Sequence, residues 1–223
     1  MKPRDLIATA KIPGHTKELR CYHHDSDYAL WLDQSELMST RVHGSEEVLA
    51  ELAFKRLGPI NKPHVLVGGL GMGFTLARVL ALCSDRGKVD VAELVPEVVT
   101  WNEELFGHCA GHPLRDERCH LIVGDVGEVV RAAQLVYHLI LLDVDNGPEG
   151  MSRPGNDSLY GRAGLQSLRN ALRPSGVLGI WSAADDPGFE RRLRDAQFNV
   201  QKRRVRARRT KGPWRTIWTA KRP

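Results

Sequence analysis

The segment HVLVGGLGMGFTLARVL, from His64 to Leu80, restricts the fold more than any other. An apolar run of strand character passes into Gly69-Leu70-Gly71-Met72-Gly73 and then directly into a helix-forming stretch. Glycines at alternate positions let a backbone turn tightly and approach a ligand closely. The helix start that follows offers free N–H groups and a partial positive charge, suited to a carboxylate or a phosphate. A glycine pattern alone is weak, and the strand before it and the helix after it give it weight.

The chain on either side has two textures. Residues 1–44 alternate apolar and polar positions between turn residues, which predicts strands over Leu6–Ile12, Glu18–His24, Asp27–Leu32 and around Leu37-Met38. From Gly44 helix and strand patterns alternate. Ser45 reads as the cap of a first helix that carries Glu46 and Glu47 in its first turn and ends at Gly58-Pro59. Continuous apolar runs follow over His64–Gly68, Val89–Glu93, His120–Val123, His138–Asp143 and Val177–Ser182. Helical segments separate them over Phe74–Cys83, Pro96–Phe106, Val126–Ala133 and Leu159–Leu172. Strands that do not alternate, separated by helices, predict a parallel sheet buried on both faces. A helix near Phe189–Ala196 and two last strands, Asn199–Val205 and Arg215–Thr219 around Lys211-Gly212-Pro213, predict an antiparallel edge hairpin. The fold expected is α/β and doubly wound: a mostly parallel seven-stranded sheet ending in that hairpin, as a domain over 45–223, preceded by a small β-rich region over 1–44.

Composition narrows the class. With 42% hydrophobic and 26% charged residues the chain can build a core and is not a disordered one. No apolar run reaches transmembrane length, and the first residues carry no apolar stretch of signal-peptide length, so a cytoplasmic protein with no membrane partner is expected. Cys21, Cys83, Cys109 and Cys119 are too few and too scattered for a disulfide framework. Residues 202–215 hold eight Lys or Arg and no acid; without them the formal net charge of +5 falls to about −3. The basic character is local.

Acids fall at the ends of successive strands. Glu93 closes the second, 20 residues after Gly73, where an acid can accept both hydroxyls of a ribose. Asp125 follows the third, and Asp143 and Asp145 follow the fourth. Each alone reads equally well as a ligand-binding acid or as a mere helix cap or solvated turn residue. Together they line the carboxyl ends of parallel strands, where open α/β sheets bind ligands.

The GxGxG spacing with a following acid resembles the S-adenosylmethionine-dependent methyltransferase superfamily. The series VLVGGLGMGFTLARVL, AELVPEVV, VGDVGEVV, HLILLDVDNGPEG and ALRPSGVLGIW, with the HGSEEVLAEL helix before it, is similar to the spermidine synthase (polyamine aminopropyltransferase) family over about residues 36–182. The resemblance implies a Rossmann-like methyltransferase fold and S-adenosylmethionine or its decarboxylated form as co-substrate; no metal is expected. It implies that Gly69, Gly71 and Gly73 line the methionine and ribose part of the donor, that Glu93 takes the ribose hydroxyls beside Leu94, and that Asp125 sits by the adenine amino group with Val126 packing next to it. Asp143 matches the family's proton-accepting Asp. Removing a proton and aligning a nucleophile is most of what a sulfonium donor requires.

Donor-side features are better kept than acceptor-side ones. Met72 stands where the family places an Asp toward the donor's amino end. Ser45-Glu46-Glu47 replaces the family's Tyr-Gln-Glu, and Asp143-Val144-Asp145 keeps only the first Asp of the family's loop. The reading that follows is a spermidine synthase-like transferase, with methyl transfer to a small-molecule acceptor placed first. Aminopropyl transfer to a diamine held by Glu46, Glu47, Asp143 and Asp145 is the alternative. Tyr160 is expected either to cover the acceptor or to pack at a helix start, and the Gly/Pro-rich stretch 146–158 to act as a lid. A two-fold dimer is the expected assembly. The basic tail with Trp214 offers a second alternative, nucleic-acid binding, set against cations that simply protect a sheet edge. The cluster His108, Cys109, His112, Cys119 and His120 lacks a zinc-site spacing.

Overall fold

The computed structural model describes residues 4–14, 16–144 and 159–223; Asp145 and the stretch 146–158 lie outside the described residues. Four strands open the chain: β1 (Asp5–Lys11), β2 (Glu18–His24), β3 (Asp27–Leu32) and β4 (Ser35–Ser39), paired antiparallel in sequence order. A seven-stranded sheet follows, built of β5 (His64–Gly68), β6 (Lys88–Glu93), β7 (Cys119–Val123), β8 (Tyr137–Leu142), β9 (Leu172–Ser182), β10 (Asn199–Arg206) and β11 (Trp214–Lys221). Its spatial order is β10-β11-β9-β8-β5-β6-β7. The pairs from β9 through β7 run parallel, and β11 and β10 close the other edge antiparallel. Among the described residues six α-helices connect the strands: α1 (Gly44–Leu57), α2 (Phe74–Leu82), α3 (Pro96–Glu104), α4 (Val126–Ala132), α5 (Arg162–Ala171) and α6 (Pro187–Asp195). The doubly wound α/β expectation holds, including its terminal hairpin. Among the described residues no helix is long and apolar enough to cross a membrane.

Side-chain alternation along the central strands fills two cores. Val65, Val67, Leu139 and Leu141 face Leu49 and Ala53 of α1 and Leu76 and Val79 of α2. Leu66, Ile140, Leu142 and Ile180 face Val130 of α4, Leu165 and Leu168 of α5 and Phe189 of α6. Phe189 meets Trp218 edge-on at 5.2 Å and Tyr160 at 5.6 Å. Burying one such aromatic contributes about 2–3 kcal/mol. A third cluster joins the small sheet to the large one: Ile12, Leu19, Cys21 and Leu30 pack on Met72, Val98, Trp101 and Phe106. The N-terminal sheet is therefore seated on the glycine loop and on α3.

Two local expectations change. Ser45 lies inside α1, whose cap position is His43 without a side-chain cap bond. Its hydroxyl has other partners: it donates to Glu46 Oε2 at 2.6 Å and accepts from Trp181 Nε1 at 3.0 Å. Strand β9 begins at Leu172, five residues before the apolar run, because Arg173-Pro174-Ser175-Gly176 joins it through a register shift against β8.

The amino-terminal end of the sheet carries a polar group of its own. Asp90 Oδ2 lies 2.7 Å from His64 Nε2 and accepts from the Tyr137 hydroxyl at 3.1 Å. The basic hairpin is partly internal too. Arg209 pairs with Glu47 and Glu51 of α1, and Arg206 and Arg204 lie over the exposed Trp214 ring at 3.8 and 5.1 Å.

Candidate active site

Hydrogen bonds running past the strand ends bind four strand tips side by side. Gly69 N donates to Ala92 O at 2.9 Å, Asp143 N to Gly68 O at 2.9 Å, and Gly124 N to Glu93 O at 2.8 Å. The tips of β8, β5, β6 and β7 are thereby held level, and one cavity opens over them. Its walls include Gly69, Gly71, Glu93, Leu94, Gly124, Asp125, Val126 and Asp143. Leu30, Leu37, Met38, Ile12 and Leu19 of the N-terminal segment cover it. The strand-end acids named from the sequence thus meet in one place, except Asp145, which lies outside the described residues.

The glycines are needed where they stand. Gly69 adopts φ +90, and a Cβ there would strike the Asp143 carbonyl. Gly71 adopts φ +52, and its Cβ would come 3.0 Å from Met38 Sδ, into the cavity roof. Gly73 caps α2 at φ +85 and lies behind the lining, against Pro113 and Asn102. The Asn102 amide donates to Gly71 O at 2.8 Å and to Val98 O at 2.9 Å, so α3 fixes the loop.

Glu93 is buried and bonded on both oxygens. Oε2 accepts from Leu70 N at 3.0 Å and Gly71 N at 3.4 Å, and Oε1 accepts from Val95 N at 2.9 Å. Burial raises its affinity for a proton, against the pull of those N–H groups. A carboxylate has about four lone-pair sites, so capacity remains for a ligand hydroxyl. Asp125 caps α4 through Gly127 N at 2.7 Å and also lines the cavity. It is thus a helix cap and a cavity-lining residue at once.

Asp143 stands at the cavity's other end, where its Oδ2 accepts from Thr75 Oγ1 at 2.5 Å. Burial pushes its carboxyl up to about 6, and the Thr75 bond opposes that shift. Glu46 lies close enough to feel the Asp143 charge. Burial first, and then Asp143, push Glu46 up to about 7, against the Ser45 bond and the nearby Arg215.

Other residues named from the sequence sit elsewhere. Glu47 is engaged by Arg209 and lies 2.9 Å from His43 Nδ1. Met72 is 3% exposed within the third core cluster, behind the lining. Tyr160 is buried against Phe189, while its neighbour Leu159 reaches the cavity. Thr75, Asn102, Trp181, Arg215 and the N-terminal roof were not singled out as site residues. A Thr in the first turn after the glycine loop and a polar Asn on the apolar side of a helix were the available signals. The roof had none, since its residues read as ordinary strand positions.

A glycine turn, an acid beside it and an acid opposite, all beyond parallel strand tips, define a Rossmann-like protein with its crevice at the carboxyl ends of the strands. The chain belongs to the spermine/spermidine synthase domain family, whose profile matches residues 43–200. It is 35% identical over 123 residues to putrescine N-methyltransferase 2 of Nicotiana attenuata, covering 55% of this chain and 32% of that one. Putrescine N-methyltransferase 1 of Nicotiana tabacum matches at 35% over the same length, covering 31% of it. The chain thus spans about a third of the length of these curated relatives. Among solved structures, spermidine synthase from Thermotoga maritima superposes with a TM-score of 0.76 at 19% identity, covering 98% of this chain and 73% of that one. A spermidine synthase in complex with the transition-state analogue AdoDATO gives 0.75 at 19% identity, covering 98% and 72%. These likenesses establish the fold.

Proposed function

We propose that the chain is an amine N-methyltransferase that uses S-adenosylmethionine. The observation that carries the reading is Asp143: a part-buried carboxylate, positioned by Thr75, at the end of a crevice whose other walls are Gly69, Gly71 and Glu93. The residues fit such a donor, because Glu93 has acceptor capacity left and a side chain at Gly71 would enter the cavity. When bound, S-adenosylmethionine supplies a methyl group on a sulfonium that leaves as a neutral thioether.

The work left to the chain is alignment and deprotonation. Glu93 would hold the ribose hydroxyls, and Asp125 and Val126 the adenine. Asp143 would orient the acceptor nitrogen and take the proton it loses as the new C–N bond forms. A carboxyl raised to about 6 is mostly ionised at neutral pH, yet is a stronger base than an ordinary Asp. Glu46, raised further, would add negative charge as pH rises and help retain a cationic amine.

Relatives named putrescine N-methyltransferase favour methyl over aminopropyl transfer. The solved spermidine synthases support the second reading, aminopropyl transfer from the decarboxylated donor. Calorimetric titration with S-adenosylhomocysteine tests the donor site. Incubation with each donor and a panel of amines, read by mass spectrometry, separates the two transfers. No binding of S-adenosylhomocysteine, S-adenosylmethionine or the decarboxylated donor would end the proposal.

A further inference from the structure

Arg215 lies on the same edge of the sheet as the strand tips. Thr216 pairs with Ser182 and Ile217 with Trp181, so β11 begins beside the carboxyl end of β9. The side chain faces α1, with its Cζ 5.5 Å from the centre of the Trp181 ring. It is half-buried, and its guanidinium donates to the Trp214 carbonyl at 3.3 Å. Among the described residues no carboxylate forms an ion pair with it. Arg209, a few residues earlier, engages both Glu47 and Glu51. Arg215 therefore keeps most of a planar donor fork unspent in a partly dehydrated position, which is the state of an arginine that waits for an anion.

The charges around it are ordered. Glu46 feels the charges of both Asp143 and Arg215, the first disfavouring and the second favouring its ionised form. Its orientation is fixed through Ser45 and Trp181. From Asp143 on β8 to Arg215 on β11 is two strand spacings, about 10 Å between strand axes. One end of the span attracts an ammonium group and the other attracts an acid. A simple diamine, cationic at both ends, would be repelled at Arg215.

We propose, on the basis of the amine-transfer reading above, that the acceptor is an amino acid-like molecule, with the reacting amine and a carboxylate on one short chain, and that Arg215 binds the carboxylate. The same residue would disfavour putrescine and set specificity without taking part in the transfer.

The test compares L-ornithine and 4-aminobutyrate with putrescine, which lacks the carboxylate, by calorimetry on the full chain saturated with S-adenosylhomocysteine. At least one carboxylated amine should bind tenfold or more tighter than putrescine. Arg215→Ala should erase that preference, weakening the carboxylated amine at least tenfold while leaving S-adenosylhomocysteine affinity unchanged. Arg215→Lys, which keeps the charge without the fork, should retain part of the preference and guards against a folding defect in the alanine variant. Putrescine binding as tightly as both carboxylated amines, or Arg215→Ala weakening all three equally, would overturn the inference. Failure of S-adenosylhomocysteine to bind at all would instead strike the transferase reading beneath it.

Discussion

Thr75 Oγ1 donates to Asp143 Oδ2 at 2.5 Å, so the first turn of α2 holds the carboxylate at the tip of β8. The same turn follows the glycine loop directly, which couples the placement of the proposed donor to that of the proposed base. The bond favours the ionised form of Asp143 and opposes the rise caused by burial. Thr75→Val keeps the shape and removes the donor, so the Asp143 pKa should rise further. A base works when deprotonated, and the acid limb of the kcat/KM profile should therefore move to higher pH. A hydrogen bond to a charged group at about 1.5 kcal/mol moves the limb by about one pH unit, so the loss should be about twofold at pH 7 and approach tenfold below about pH 6. Thr75→Ser should restore the limb. An unmoved limb in Thr75→Val would remove Asp143 from the role of base.

Gly69 and Gly71 should respond differently to alanine. At Gly69 the added Cβ meets backbone, the Asp143 carbonyl, and φ is +90. Neither can yield without moving the strand tips. Gly69→Ala should cost about 2 kcal/mol or more in urea unfolding. At Gly71 the neighbour is the end of the flexible Met38 side chain, and φ +52 is a left-handed value that alanine tolerates at about 1 kcal/mol. Gly71→Ala should fold and lose S-adenosylhomocysteine affinity, because its methyl points into the cavity. Equal stability losses in the two variants would contradict the geometry.

The division between what the sequence disclosed and what it withheld follows from the range of the interactions. His64–Gly68 and Glu18–His24 were readable to the residue, because periodicity and turn chemistry are local. The meeting of Gly69, Glu93, Asp125 and Asp143 was readable because parallel topology fixes where strand ends lie. Ser45 misled for the opposite reason. Its capping propensity is local, while its actual partner, Trp181, is 136 positions away. The covering of the cavity by Met38 and Leu37 is likewise a tertiary fact with no local pattern. Arg215 sat in a run of cations that reads as a solvated edge, and only strand register separates it from Arg206 and Arg204, which lie over Trp214.

Arg209 ties the hairpin tip to α1 through Glu47 and Glu51, and Ser45 N adds a bond to Ala207 O at 3.3 Å. The Arg209 bonds hold the Glu51 carboxyl below its usual range. The guanidinium is nearly half exposed, so solvent screens much of the attraction. Arg209→Ala should cost about 1 kcal/mol in urea unfolding at low salt, and the difference from the parent should shrink in 1 M NaCl. A loss that is indifferent to salt would mean that packing of the arginine stem, and not its charge, secures the hairpin.

Asp90 should make the fold sensitive to acid. Burial works against its ionisation, yet the hydrogen bond from His64 and the positive charges of His64 and Lys88 prevail and hold the carboxyl at about 2. The folded pKa lies below the unfolded value of about 3.9. Its contribution to stability is therefore complete above that value and is lost as pH falls from about 4 to about 2. A depression of nearly two units corresponds to about 2 kcal/mol. Asp90→Asn, which keeps an acceptor for the Tyr137 hydroxyl, should be less stable than the parent by about that amount at pH 6. The gap should close as both proteins are titrated to pH 2. Urea unfolding of the pair across this range measures it, and a gap that persists unchanged at pH 2 would show that the shape of the side chain, and not its charge, supports the amino-terminal end of the sheet.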